Sequence, residues 1–208
     1  MNMHSASADL RSARILGSIR QTFAEKGFDG ASMQDLARAA GMSVGNFYRY
    51  FPSKAAIVEA LVTHDLEMME QDFAAILQAP RPMQSLREGL AARLCEDGCK
   101  DDGPIWAEIT AAALRKPEIL TLVCRMEAAV GDNLVAVFAR ETGLNIETTR
   151  QRHGAHAAMI VMLIKAASMQ HPDACNPRAD LMALTLRIID RILDDITGAP
   201  LAALEESL

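Results

Sequence analysis

Between Ser32 and Ser53 the chain leaves room for two short helices and a tight turn, and for little else. Ser32 suits an N-cap, with Asp35 three residues on as a variant of the capping box, and Met33, Leu36, Ala37 and Ala40 fall on one inward face. Gly41-Met42-Ser43 then interrupts the pattern, since Gly41 can supply a left-handed backbone and Ser43 can cap a new helix. The spacing predicts a third helix from Val44 to about Tyr50, stopped by Pro52, with Val44, Phe47 and Phe51 turned inward. Gly45, Asn46, Tyr48 and Arg49 are left facing outward. Two short helices joined by a glycine-containing turn are the layout with which small domains set a helix into the major groove of DNA. The expected reading surface runs from about Met33 to Phe51.

The flanking chain is helical by the same reasoning. Ile15, Leu16, Ile19 and Phe23 recur at helical spacing from Ala8 to about Lys26, and Gly27 stands where a C-terminal cap belongs. Ser53 can cap a long amphipathic helix from Lys54 to about Gln78, with Ile57, Leu61, Phe73 and Leu77 on its apolar rows. Pro and Gly punctuation beyond it predicts helices at roughly 83–99, 104–115, 118–141, 145–170 and 178–197. The expected fold is all-α with about nine helices. A three-helix head at 8–54 is followed by a helical body at 55–200.

Composition supports this: half the residues are hydrophobic, few are aromatic, and strand-forming residues do not alternate with polar ones. The net charge of −6 conceals a split. Up to Lys54 there are seven Lys/Arg against four Asp/Glu, a balance of +3, which leaves −9 for the remainder. A basic head on an acidic body suits a protein that touches a polyanion with one end only. The amino terminus has no apolar run of signal-peptide length, and the longest apolar stretch, Ala157 to Ile164, is far short of a membrane span. A cytoplasmic protein without a membrane partner is expected. The four cysteines read as small hydrophobes or free thiols rather than a disulfide framework.

The segment from Ile15 to about Leu61 resembles the amino-terminal domain of the tetracycline-repressor (TetR) family of bacterial regulators. The likeness is carried by Phe23 to Phe28, by the Gly41-Met42-Ser43 turn, and by the run Phe47 to Lys54. The resemblance implies a dimeric repressor of a palindromic double-stranded DNA operator, released by a small-molecule effector, with no cofactor. It implies that Ser32, Tyr48, Tyr50 and Lys54 contact phosphates, and that Gln34, Val44, Gly45 and Asn46 approach base edges beside Ser43. Gln and Asn can pair with adenine, and Val can meet a thymine methyl. Arg49 could reach either a guanine or a phosphate. Gly45 offers no side chain, leaving either a missing base contact or a close backbone approach.

In the body, the last helix carries two apolar rows, Leu181, Leu184, Ile188, Ile192 and Ile196 on one and Met182, Ile189 and Leu193 on the other. That stripe can serve two neighbours, and Gly154, Ala155, Ala157 and Ala158 would let another helix approach closely. The resemblance implies a homodimer through helices 145–170 and 178–197. It also implies an effector pocket, for which Met69, Phe73, Leu94, Trp106, Glu108, Arg125, Phe138 and Met162 are the candidates; periodicity does not separate pocket wall from core. Cys95 with Cys99, and His153 with His156, are pairs from which a metal-responsive alternative could be assembled, but neither spacing is diagnostic and no metal is expected. The other alternative is a DNA-binding regulator without a small-molecule effector. No Ser/His/Asp, Cys/His or paired-carboxylate constellation appears, so an enzyme is not expected.

Overall fold

The computed structural model describes residues 3–94, 103–169 and 178–198. Among these residues there are nine helices and no strand: α1 (Met3–Lys26), α2 (Met33–Ala39), α3 (Val44–Tyr50), α4 (Lys54–Gln78), α5 (Pro82–Leu94), α6 (Gly103–Ala113), α7 (Pro117–Thr142), α8 (Ile146–Ser168) and α9 (Arg178–Gly198). No helix of the described residues is long and apolar enough to cross a membrane.

Local chemistry sets the boundaries around the short helices. Ser32 Oγ accepts the Asp35 N–H at 3.1 Å and the Asp35 carboxylate accepts the Ser32 N–H at 3.0 Å, a complete capping box. Gly41 takes a φ of +64°, and the Met42 and Gly41 amides donate to Ala37 and Arg38 carbonyls, so α2 ends in a Schellman motif. Ser43 caps α3 through the Asn46 N–H, and Ser53 caps α4 through the Ala56 N–H at 3.2 Å.

The described residues divide into two compact units, one made of 3–69 with 103–127 and the other of 70–94 with 128–169 and 178–198. In the first, Leu16, Ile19 and Phe23 of α1, Leu36 of α2, Phe47 of α3, and Ile57, Val58 and Leu61 of α4 form one buried cluster. Ile105, Ile109 and Ala112 of α6 and Ile119 and Val123 of α7 belong to the same cluster. The two seven-residue helices contribute few buried side chains, and these later segments complete the core around them. In the second unit α8 packs on α9, and α5 packs on both. Its core includes Phe73, Leu86, Leu94, Phe138, Ile160, Ile189 and Leu193. Arg87 of α5 joins α9 through Asp190 at 2.7 Å and Asp194 at 2.5 Å.

The turn from α1 to α2 is tightly specified. Gly27 has a φ of +73°, and a Cβ built on Gly30 would lie 2.3 Å from the Lys26 carbonyl oxygen. Backbone cannot yield there as a flexible side chain could. Gly30→Ala is expected to lower unfolding stability by about 1–3 kcal/mol, read from the urea midpoint at unchanged slope.

Candidate nucleic-acid interface

Helix α3 is fixed to the head by one fully buried side chain, Phe47, whose ring meets that of the half-buried Phe51 at a centroid distance of 5.1 Å. The residues between and before them point away from the core. Tyr48 and Tyr50 are 46% and 66% exposed, Gly45 and Arg49 are exposed, and Asn46 is half-buried. Val44 corrects the inward placement expected from spacing: it is 40% exposed. As the first residue of α3, directly after an extended Ser43, it projects beyond the reach of the α1 and α2 core. It therefore joins the outward row with Gly45 and Tyr48, and Gln34 and Ser43 are exposed as well. Nothing lies within 4 Å of a Cβ built on Gly45, and its φ is not positive. The protein's own packing does not require a glycine at that position.

Ser32 is exposed, but its hydroxyl is occupied: it accepts the Asp35 amide and donates to the Asp35 carboxylate at 2.6 Å. A phosphate oxygen approaching Ser32 would compete for that hydroxyl proton. Lys26 pairs with Asp35 at 2.7 Å, and Lys26 with the Ser32 bonds holds the Asp35 carboxyl well below the usual carboxylate range. A carboxyl depressed on folding contributes stability that is present above its ordinary pKa of 3.8 and is lost as pH falls toward its folded value. Asp35→Asn is therefore expected to flatten the acid limb of stability below about pH 4, measured by urea unfolding across a pH series.

Lys54, in the first turn of α4, directs its ammonium into the head: Nζ donates to the carbonyls of Phe28 at 2.7 Å and Asp29 at 2.9 Å. Burial pushes its pKa down.

The pocket candidates fall into two groups. Trp106 packs against the head core, and the Glu108 carboxylate accepts the Phe28 N–H at 2.8 Å. Arg125 is exposed and lies 3.9 Å from Glu59 and 3.4 Å from the Thr63 hydroxyl. Met69 is half-buried and belongs to the same unit. Phe73, Leu94 and Phe138 are buried in the second unit, whereas Met162 is 56% exposed on α8. Glu108 and Arg125 have partners that sequence reasoning missed, because those partners lie 80 and 62 residues away in the chain.

His153 is buried on α8, its ring edge-on to that of the half-buried His156 at 5.2 Å, and both Nδ1 atoms are buried without a partner. Burial, then the neighbouring His156 and Arg152, lower the His153 pKa. No group of three or more His, Cys, Asp or Glu that could hold a metal ion occurs among the described residues. Cys95 and Cys99 lie outside them, and Cys124 is an exposed free thiol.

Residues 15–61 match the sequence profile of bacterial regulatory proteins of the tetR family. The transcriptional regulator UidR of Escherichia coli K12 is 26% identical over 110 residues, which are 53% of this chain and 55% of that protein. The match thus spans about half the length of that curated relative. Among solved structures, Salmonella enterica GusR superposes with a TM-score of 0.65 at 25% identity, covering 91% of this chain and 96% of its own. The TetR-family regulator PfmR of Thermus thermophilus shares the fold, with a TM-score of 0.61 at 20% identity over 86% of this chain and 97% of its own. The segment 15–61 thus carries the tetR-family sequence profile on a helix-turn-helix, and the fold over most of the chain is shared with solved regulators of that family.

Proposed function

We propose that the protein is a repressor that binds a palindromic operator as a homodimer in the cytoplasm and leaves it when a small molecule binds the body. The observation that carries the dimer is the pair of exposed apolar rows in the second unit. On α8, Ala155, Ala158, Met159, Met162 and Ala166 are exposed at helical spacing while Thr149, His153, Ala157 and Ile160 are buried. On α9, Leu184 and Ile188 are 45% and 40% exposed while Met182, Ile189 and Leu193 are buried. Each helix thus has one apolar face for its own subunit and another left for a second copy.

A single seven-residue helix reads few base pairs, and two copies related by a two-fold axis read two half-sites about one helical turn apart. In this reading Gln34, Val44, Gly45 and Asn46 approach base edges, with Ser43 beside them and Arg49 at a base or phosphate. Tyr48, Tyr50 and Ser32 hold phosphates and fix the register. The effector occupies the second unit, where Phe73, Leu94 and Phe138 supply apolar surface, and it acts by favouring a dimer whose heads no longer match consecutive grooves.

Selection of bound sequences from a pool of random duplexes tests this reading. A two-fold symmetric preferred site is the expected result, and an asymmetric site of one half would count against the dimer. A thermal-shift screen of small molecules tests the effector: a ligand that raises the melting temperature should lower affinity for the selected duplex.

A further inference from the structure

The resemblance places Lys54 against a phosphate, but the structure gives its ammonium other work. Two of its three N–H donors are taken by consecutive carbonyls, those of Phe28 and Asp29, in the turn between α1 and α2. Its Nζ also lies 5.5 Å from the centroid of the Phe28 ring, which the Lys116 ammonium approaches at 4.7 Å. The N–H of Phe28 is bound from elsewhere, by Glu108 of α6. Asp29 is held by its side chain, which pairs with Arg115 at 3.0 Å and with Lys116. Both backbone polar groups of Phe28 are therefore satisfied by side chains of later helices.

The turn needs this support. It is entered through a left-handed Gly27, has no room for a side chain at Gly30, and is bridged by a backbone bond from the Ala31 N–H to the Gly27 carbonyl at 3.1 Å. It also sets the angle at which α2, and α3 behind it, leave α1. The ammonium that fixes this turn cannot bind a phosphate with the same two N–H groups.

We infer that Lys54 is a positioning residue, which clasps the Phe28–Asp29 turn together with Glu108 and so orients the reading helix instead of anchoring a phosphate. Its effect on DNA is exerted through α2 and α3. The inference rests on the reading of α3 as the DNA-contacting helix, but the clasp itself can be tested without DNA.

The full chain carrying Lys54→Met, which keeps the apolar stem and removes the donors, is compared with wild type. Binding is measured to the selected duplex and to a random-sequence duplex of equal length, over a salt series. A clasp predicts that affinity for the selected duplex falls about tenfold or more, as when base contacts go out of register. Affinity for the random duplex and the slope of log K against log salt then stay as in wild type. A phosphate anchor predicts an equal fall for both duplexes and a slope smaller by about 0.9, and that result overturns the inference.

In the DNA-free protein, the Phe28 and Ala31 amides of Lys54→Met should exchange with solvent faster than in wild type. Unchanged exchange also overturns the clasp. This arm decides the matter even if wild type selects no duplex, an outcome that would instead refute the proposed DNA reading. If Lys54→Met does not fold, Lys54→Arg retains the charge a phosphate needs but not the compact ammonium between ring and carbonyls. Loss of selectivity in that variant supports the clasp, and wild-type selectivity overturns it.

Discussion

A chain in which Leu184 and Ile188 are both replaced by Glu is expected to stay folded, to sediment as a monomer, and to lose affinity for its selected duplex by about a thousandfold or more. Both residues lie on α9 and are 45% and 40% exposed, so the substitutions insert no charge into the subunit's own core. Met182, Ile189 and Leu193, on the opposite side of the helix, remain in place. In the proposed dimer this face is dehydrated on subunit association, and two carboxylates there carry a desolvation cost that the lost apolar contacts no longer offset. Two linked heads bind a palindrome with the benefit of effective concentration, and a lone head does not. Analytical ultracentrifugation with circular dichroism separates the outcomes: a helical dimer after both substitutions would show that subunits associate elsewhere or not at all through this face.

The second large effect concerns stability. Phe47→Ala is expected to cost about 3–5 kcal/mol, a large share of the roughly 5–15 kcal/mol that holds a protein together. Phe47 is fully buried and is the one buried residue of α3, so no neighbour within the helix compensates. The helix is seven residues long, too short to persist in water by its own propensity. Loss of duplex binding should accompany the loss of stability. Tyr50→Ala is the control, since Tyr50 is 66% exposed: melting should move little while duplex affinity falls.

The short helices were legible because their ends are written in local chemistry. Ser32, Gly41, Ser43 and Pro52 each act within a few residues of themselves, and α3 and α4 begin and end where the sequence places them. Val44 was legible only in part, since spacing relates it to Phe47 and Phe51 but does not reveal that α3 begins beyond the edge of the core. On α9 the two apolar rows are equally hydrophobic in sequence, and packing against α5 and α8 decides that Met182 and Ile189 are inside. Glu108 was out of reach. Its partner is a backbone amide 80 residues earlier, and neither end carries a local sign of the other.

The shared core of the first unit has a consequence for synthesis. The reading helix is complete in the chain by Tyr50, yet its core includes Ile105, Ile109, Ile119 and Val123. On the ribosome, an emerging head lacks these residues until positions 105 to 123 have been made, and its apolar faces stay open meanwhile. A vectorially made polypeptide thus completes the core of this unit late. The segment 15–61 that carries the family profile is therefore less than the unit whose core closes around it.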